Sequence, residues 1–249
     1  MLVGLSYSSM RRMELCPGSY ALARERKRDP LPPEIVLKGN VLHRFFEERL
    51  TNPRPFERRD ALLFSQGEFT RLVDKDKPRW SVEDIGVHLS DVLSWTDRVN
   101  DFADQLLGWA RSVDGRVKPE MSVKVFLPGG WLEGYVDVAI FVPEQGWAVF
   151  DLKTGSGDPD QLVFYDRLLE RWSGFPVIRS GFYFPSGVGM KAVTISDDDR
   201  AGMDERMRKA WVAVAQDQFP FTGFPGECAR CPSRNHCPKQ IPAASGKLA

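Results

Sequence analysis

The chain has 249 residues, enough for one domain with additions or for two small domains. Hydrophobic residues make up 42% and charged residues 27%, as in an ordinary globular protein, and no apolar run approaches the roughly 20 residues that span a bilayer. The N-terminal residues lack the basic stretch and long apolar core of a signal peptide, so we expect a cytoplasmic protein without a membrane anchor. Because the formal net charge is zero, any binding of nucleic acid must come from a local patch.

Basic residues are concentrated in and after a first predicted helix near the N-terminus. Arg11, Arg12 and Arg24 are candidate DNA-binding residues, and further basic residues follow at 26–28. The same residues also fit the solvated face of an ordinary helix, and charge alone does not decide between the two. A proline-rich linker is predicted at 29–33.

An amphipathic helix is predicted over residues 39–50, because its apolar residues recur at helical spacing. His43 and Glu47 are four residues apart and therefore lie on the same side of that helix. Taken locally, His43 fits a partly buried histidine bonded to Glu47 better than a metal ligand. Residues 53–115 are mostly charged with helical periodicity, and we interpret them as a helical insertion.

Two strands joined by a turn at 143–146 are predicted over residues 133–140 and 147–155. Asp137 lies in the first strand, while Asp151 and Lys153 lie near the end of the second and share one face of it. If the two strands pair, Asp137 can lie near Asp151. Two acids and a lysine on one patch can bind a hard divalent cation and position a water molecule.

Secondary structure is also predicted on both sides of this hairpin. An alternating strand covers residues 120–126, two more strands cover 177–184 and 190–195, and a long helix runs from 197 to about 218. A helix over 161–169 places Gln161 and Tyr165, four residues apart, on one face.

The four cysteines have a metal-binding pattern. Cys228, Cys231 and Cys237 cluster near the C-terminus, whereas Cys16 lies near the N-terminus. A disulfide framework is not expected in a cytosolic chain of this size, but four thiolates suit either a zinc ion or a four-iron cluster. The cysteine-proline pairs and the wide separation favour iron–sulfur, although the spacing leaves zinc open. Buried cysteines without a metal are the remaining alternative.

Taken together and in order, these motifs resemble the PD-(D/E)XK nuclease superfamily, in its RecB/AddB-like branch with an iron–sulfur cluster. The CRISPR-associated iron–sulfur exonucleases share this layout. The residues that carry the resemblance are Cys16-Pro17, Gly39-x3-His43, Gly134-x2-Asp137, Asp151-Leu152-Lys153-Thr154-Gly155, Gln161-x3-Tyr165, and Cys228, Cys231 and Cys237. The resemblance covers most of the chain, apart from residues 53–115 and the C-terminal tail.

The resemblance implies an α/β fold. We expect one domain over residues 1–249 with a restriction-endonuclease-like core, in which helices flank a central mixed sheet. Residues 53–115 would be the helical insertion, and residues 239–249 a flexible tail. Cys16 and residues 219–238 would form a four-cysteine metal staple that joins the two ends of the chain.

The resemblance also implies the chemistry of the site. The residues it makes catalytic are Asp137, Asp151, Lys153, Gln161 and Tyr165. The ligands it implies for Mg²⁺ or Mn²⁺ are Asp137, Asp151, the carbonyl of Leu152, and His43, which overrides the local interpretation of His43. Lys153 would orient or help to deprotonate the attacking water, and Gln161 and Tyr165 would position the nucleic-acid backbone or support the lysine. Glu120 is a candidate additional acid, for which Glu133 competes.

The resulting hypothesis is a Mg²⁺- or Mn²⁺-dependent exonuclease that acts on single-stranded DNA or DNA ends. It would serve recombination, repair, CRISPR adaptation or phage DNA processing. A helicase, recombination or CRISPR protein is the implied partner, because the chain carries no GxxxxGK[ST] motif of its own. Two alternatives remain: a DNA-binding or scaffold subunit with a vestigial nuclease site, and a zinc-stapled protein with no role on nucleic acid.

Overall fold

The computed structural model describes residues 3–25, 33–53, 56–75, 82–222, 226, 228 and 231–239. The strands are β1 (Val3–Leu5), β2 (Arg116–Leu127), β3 (Gly130–Val142), β4 (Gly146–Leu152), β5 (Val177–Phe184) and β6 (Gly189–Val193). The helices are α1 (Tyr7–Leu15), α2 (Pro17–Arg24), α3 (Pro33–Thr51), α4 (Arg58–Lys75), α5 (Val82–Ser112), α6 (Pro159–Ser173) and α7 (Asp197–Ala215). A short 3₁₀ helix follows at Arg234–His236.

The strands form one mixed sheet, as predicted. Its main path runs β1-β3-β4-β5-β6, and β2 pairs with β3 beside that path. The β1–β3 and β4–β5 pairs are parallel, while β2–β3, β3–β4 and β5–β6 are antiparallel. Strand β4 is buried along its whole length, as expected for a central strand with helices on both sides.

Helices cover both faces of the sheet, which confirms the predicted α/β architecture. On one face, α1, α2, α6 and α7 enclose a core that includes Val149, Phe164 and Met207. On the other face, α3, α4 and α5 enclose a second core that includes Phe45, Phe102 and Phe150. Burial of each such side chain contributes about 1.5–3 kcal/mol, so both layers stabilise the sheet.

Residues 53–115, predicted as a helical insertion, contain α4 and α5. Apolar residues of both helices pack on α3, and the core that they form extends to Val138, Ile140 and Phe150 in the sheet. The segment therefore supplies much of one helical layer. None of the described helices combines the length and the apolar character that a bilayer crossing requires.

Several element ends differ from the predicted ones. Helix α3 begins at Pro33, six residues before the predicted start, so that Pro33 belongs to the helix; residues 29–32 of the predicted linker lie outside the described residues. Helix α7 ends at Ala215 because Asp217 has a left-handed backbone, with φ of 50°. Of the predicted tail, only Lys239 is among the described residues.

Candidate active site

Asp137 lies at the point where β3 parts from β4, one residue before the first pair of their ladder, Val138 with Phe150. Its Oδ2 accepts a hydrogen bond of 2.7 Å from the backbone N–H of Leu152. Strand β4 therefore fixes one carboxylate oxygen of Asp137. The structure also brings Asp137 beside Asp151, as the strand pattern predicted.

Glu120 reaches the same place from β2. Its neighbours Pro119 and Met121 pair with Val138 and Val136, so Glu120 lies opposite Asp137 in the ladder. Its backbone is left-handed, with φ of 44°. Such a conformation costs a non-glycine residue of order 1–3 kcal/mol and is typical of functional sites. Here the bend directs the carboxylate toward His43, whose Nδ1 lies 3.8 Å from Oε1 of Glu120.

Glu133, the competing acid, lies elsewhere. Its Oε2 accepts a hydrogen bond of 2.7 Å from Nε1 of Trp131 and lies 3.7 Å from Nζ of Lys124. The geometry therefore separates the two acids that the sequence left in competition: Glu120 lies beside His43, whereas Glu133 is held by Trp131 and Lys124.

His43 projects from α3 toward these acids. Its Nδ1 lies 3.4 Å from Oδ2 of Asp137, whereas Glu47 forms an ion pair with Arg44. Burial alone would lower the pKa of His43, but its hydrogen bonds to Asp137 and Glu120 outweigh burial and raise the pKa to about 10. The local interpretation of His43 as a partner of Glu47 is wrong, because the packing of α3 on the sheet turns His43 toward the acids.

Asp151 and Lys153 face each other at the end of β4. Nζ of Lys153 lies 2.6 Å from Oδ2 of Asp151, yet that oxygen accepts no aligned hydrogen bond from the described residues. Burial, together with the charge of Asp137, raises the pKa of Asp151 to about 7, even though Lys153 acts in the opposite direction. Lys153 therefore balances the negative charge of the buried carboxylate only in part.

Two further side chains, Gln161 and Tyr165, reach the site beside Asp151 from the first two turns of α6. Nε2 of Gln161 donates hydrogen bonds of 3.2 Å to Oδ1 of Asp151 and 2.8 Å to the hydroxyl oxygen of Tyr165. Burial raises the pKa of Tyr165 well above its usual value, so its hydroxyl stays protonated. The spacing of four residues places both side chains on one face, as predicted.

The close approach of Gly134 to α6 fixes the position of Tyr165. A Cβ at Gly134 would lie 2.8 Å from Leu168 and 3.1 Å from the ring of Tyr165. We therefore expect Gly134→Ala to lower the free energy of unfolding by about 1–3 kcal/mol through overpacking, measured by denaturant unfolding. Gly67→Ala is the matched control, since a Cβ there meets nothing within 4 Å. A Gly134→Ala protein as stable as wild type would contradict this account of the packing.

The residues fit a hard divalent cation. Ligand atoms of His43, Glu120 and Asp137 all lie within 4.8 Å of one another. Asp151, whose pKa is shifted by burial and by the charges of Asp137 and His43, adds a carboxylate oxygen that accepts no aligned hydrogen bond from the described residues. Carboxylate oxygens with one imidazole suit Mn²⁺ or Mg²⁺. Leu152 is buried and its N–H binds Asp137; the role of its carbonyl as a ligand stays a prediction.

The four cysteines line one cavity of about 1310 Å³, together with Gln161 and Tyr165. The hydroxyl oxygen of Ser19 in α2 lies 3.3 Å from Sγ of Cys231. The N–H of Gly18 donates a hydrogen bond of 3.0 Å to the carbonyl oxygen of Pro220. Cys16 stands directly before α2. The fold therefore brings the N-terminal cysteine to the C-terminal three.

The candidate DNA-binding arginines are spread out. Arg11 and Arg12 line the same cavity, and Arg11 pairs with Glu14 at 3.1 Å. Arg24 lies over the rings of Tyr20 and Phe219 and outside that lining. The basic residues at 26–28 lie outside the described residues.

Sequence reasoning missed Tyr7 and Asp158, which line the cavity beside Gln161. The hydroxyl of Tyr7 donates to Oδ2 of Asp158, and Asp158 caps α6 by accepting a bond of 3.2 Å from the N–H of Asp160. The Asp158-Pro159 pair before a helix is a recognisable start signal and could have identified Asp158.

Comparisons with known proteins agree with this fold. A family model described as the PD-(D/E)XK nuclease superfamily matches residues 4–238. A search of curated protein sequences finds no significant match. Among solved structures, a "putative exonuclease" from Eubacterium rectale superposes with a TM-score of 0.55 at 8% identity, covering 87% of this chain and 83% of that one. A protein named SSO0001 has 15% identity and a TM-score of 0.36, with 83% of this chain and 98% of that chain covered.

The first of these structures shares the fold, and the family model spans the site from His43 to Tyr165 as well as all four cysteines. The acids, the lysine and the surrounding α/β layers lie within that single match. This chain therefore belongs to the PD-(D/E)XK nuclease superfamily.

Proposed function

We propose that the protein is a divalent-metal-dependent deoxyribonuclease that acts as an exonuclease on single-stranded DNA or DNA ends. The observation that carries the proposal is the convergence of three acids, one histidine and one lysine at the point where β3 leaves β4. Glu120, Asp137 and Asp151 crowd negative charge around His43. Acids gathered in a part-buried site, with strongly shifted pKa values at His43 and Asp151, are typical of functional sites.

His43, Glu120, Asp137 and Asp151 would hold the Mg²⁺ or Mn²⁺ ion. When bound, such an ion lowers the pKa of a coordinated water and neutralises charge on the phosphate. Asp137 and Glu120 raise the pKa of His43, and the proton that His43 therefore holds would have to leave for the imidazole to become a ligand. The backbone of Leu152 keeps Asp137 oriented throughout.

Lys153 would act on the attacking water and on the phosphate. Asp151 holds its ammonium group at 2.6 Å, and the lysine side chain remains 22% exposed, which leaves it open to substrate. A positive point charge at this position stabilises the extra negative charge that develops on the phosphorus oxygens. The ammonium can also orient the water for in-line attack.

Gln161 and Tyr165 would position the DNA backbone. The Tyr165 oxygen accepts its hydrogen bond from Gln161, so its own proton is available to donate to a phosphate oxygen. The raised pKa keeps that proton in place at neutral pH. The pair thus offers a neutral donor beside Asp151, where another negative group would repel the substrate.

The two competing glutamates give a matched test of the ligand set. We expect Glu120→Gln to raise the Mn²⁺ concentration for half-maximal DNA cleavage about tenfold or more, because a neutral amide is a weaker ligand for a hard cation. Glu133→Gln should change it less than about twofold, since Glu133 bonds to Trp131 and Lys124. Metal titrations of cleavage by the two variants measure this directly. Equal shifts in both would remove Glu120 from the proposed ligands.

Linear and circular single-stranded DNA test the exonuclease proposal. An exonuclease degrades an end-labelled linear strand in Mn²⁺ and leaves a closed circle of the same sequence intact. Cutting of the circle at a similar rate would show an endonuclease. Digestion of neither substrate, by folded protein, would favour the alternative of a DNA-binding subunit; the complete set of acids and the lysine supports the enzyme instead.

We further propose that the four cysteines hold an iron–sulfur cluster. The four thiols line one cavity, and three of the four cysteines, Cys16, Cys231 and Cys237, directly precede prolines. Four thiolates suit a four-iron cluster. Anaerobically purified protein should be brown with four irons per chain; colourless protein with one zinc would refute the assignment.

A further inference from the structure

An exposed aromatic strip leads away from the candidate active site along the β2–β3 hairpin. On β3, Leu132, Gly134 and Val136 point into the core or toward α6, so the alternating residues Trp131, Glu133 and Tyr135 share the opposite face. The ladder pairs Ser122 with Tyr135, Lys124 with Glu133, and Phe126 with Trp131. We call Tyr135, Trp131, Phe126 and Lys124 the aromatic strip.

The strip is open to solvent. Phe126 is 77% exposed and Tyr135 is 58% exposed. Large aromatic rings exposed on a regular strand surface are unusual in a monomeric protein unless they bind something. Within the described part of the chain, these two rings lie on the one hairpin that also carries Glu120 and Asp137.

Position and aromatic character point to the occupant. Nζ of Lys124 lies 5.2 Å from the ring centroid of Trp131 and 3.7 Å from Oε2 of Glu133, so the cation among the rings is balanced by a carboxylate on the same face. Tyr135 lies two residues before Asp137 on β3 and also lines the cavity that contains Gln161 and Tyr165. Exposed aromatic rings on which bases can stack are a common part of surfaces that bind single-stranded nucleic acid.

The spacing of the strip favours a single strand over a duplex. Tyr135 and Trp131 are four residues apart on β3, which is about 14 Å at a rise of about 3.4 Å per residue. Successive bases of a duplex strand are about 3.4 Å apart along the axis. Bases that stack on successive rings of this strip must therefore be drawn apart, which an unpaired strand permits and a duplex does not.

We propose that the aromatic strip binds the unpaired DNA strand that extends from the scissile phosphate. Bases stack on Tyr135 nearest the acids and on Phe126 at the far end, and Lys124 lies close to the phosphates between them. The inference rests on the proposed nuclease function, because the DNA strand is bound both by the aromatic strip and by the active site. The strip then makes single-stranded DNA the preferred substrate.

Binding of an oligothymidylate of about 12 nucleotides, measured by fluorescence anisotropy in EDTA, tests the strip without cleavage. We expect Tyr135→Ala and Phe126→Ala each to weaken binding about fivefold or more, and the double variant to weaken it further. Tyr135→Phe and Phe126→Tyr should bind like wild type because they keep a ring. Phe126→Leu should not, although it keeps the apolar area.

Val188→Ala is the matched control. Val188 is 76% exposed and lies in the turn between β5 and β6, outside the hairpin. It should bind the oligonucleotide within about twofold of wild type. A double variant that binds like wild type, or a Phe126→Leu variant that does so, would overturn the proposal; the strip would then be a contact for another protein.

A small chromogenic phosphodiester, bis(4-nitrophenyl) phosphate, separates this inference from the proposed function. Wild type and Val188→Ala should both hydrolyse it in Mn²⁺, because it needs the acids and Lys153 and is too short to reach Phe126. If neither hydrolyses it nor cuts DNA, the nuclease proposal fails. The oligonucleotide affinities in EDTA still decide whether the strip binds single-stranded DNA.

Discussion

A Lys153→Ala variant is expected to hydrolyse single-stranded DNA about 10²–10⁴-fold more slowly than wild type in saturating Mn²⁺, the range typical of losing a proton-transfer or charge-stabilising group. The ammonium group lies 2.6 Å from an oxygen of buried Asp151. In the proposed mechanism, its removal would take away both the orientation of the water and the positive charge beside the phosphate. Single-turnover rates with end-labelled DNA measure the loss.

Lys191→Ala controls for the loss of a lysine as such. Lys191 lies on β6, paired with Phe182 of β5, and takes no part in the site. It should retain the wild-type rate within about twofold. Because Lys153→Ala leaves Asp151 without its ion pair, thermal melting with Mn²⁺ must confirm that the variant is folded. A folded Lys153→Ala protein with wild-type activity would show that the lysine is not part of the reaction.

Cys16→Ser is expected to destabilise the whole protein rather than to remove one chemical step. The cysteine lies before α2, and α2 contacts the C-terminal segment through the Gly18 N–H and the Ser19 hydroxyl. A group bound by all four thiols closes a loop of more than 200 residues, so its binding free energy becomes folding free energy. A loss of several kcal/mol corresponds to a fall in Tm of about 10 °C or more.

Metal-depleted wild type is the control for this prediction. If the staple is what stabilises the chain, wild type stripped of its metal should melt at the same temperature as Cys16→Ser. The variant itself should be insensitive to the same treatment. A Cys16→Ser protein with wild-type Tm and bound metal would show that Cys16 is not a ligand.

The relative placement of the acids, the lysine and the two α6 side chains could be predicted, because it depends on local periodicity. Alternation along β4 places Asp151 and Lys153 on one face, and the spacing of four in α6 aligns Gln161 with Tyr165. The turn at 143–146 brings Asp137 beside Asp151. These relations need only strand and helix geometry over short distances.

The positions of Glu120, Glu133 and His43 relative to the site could not be predicted in this way, because they depend on tertiary structure. Glu120 reaches the site through a left-handed bend that no propensity predicts for glutamate. His43 turns away from Glu47 because the apolar face of α3 packs on the sheet. The aromatic strip likewise emerges only from the register of β2 with β3, which pairs Phe126 with Trp131.

The helical periodicity of residues 53–115 predicted helices with an apolar face, but not the place of those helices against the sheet. Because the segment is rich in charged residues, we interpreted it as an insertion. Its apolar positions, among them Val99, Phe102 and Leu106, nevertheless face the sheet. A helix of 31 residues such as α5 can carry a wide charged surface and still supply a core face.

The most direct test of the central claim is single-turnover cleavage of end-labelled single-stranded DNA by wild type and Asp137→Asn, each with Mn²⁺ and with EDTA. The account predicts cleavage by wild type in Mn²⁺ and no cleavage in the other three reactions. Asp137→Asn keeps the shape of the side chain and removes the charge that is proposed to hold the cation. Cleavage that persists in the variant or in EDTA would contradict a metal-dependent site at Asp137, as would folded wild-type protein that leaves the DNA intact in Mn²⁺.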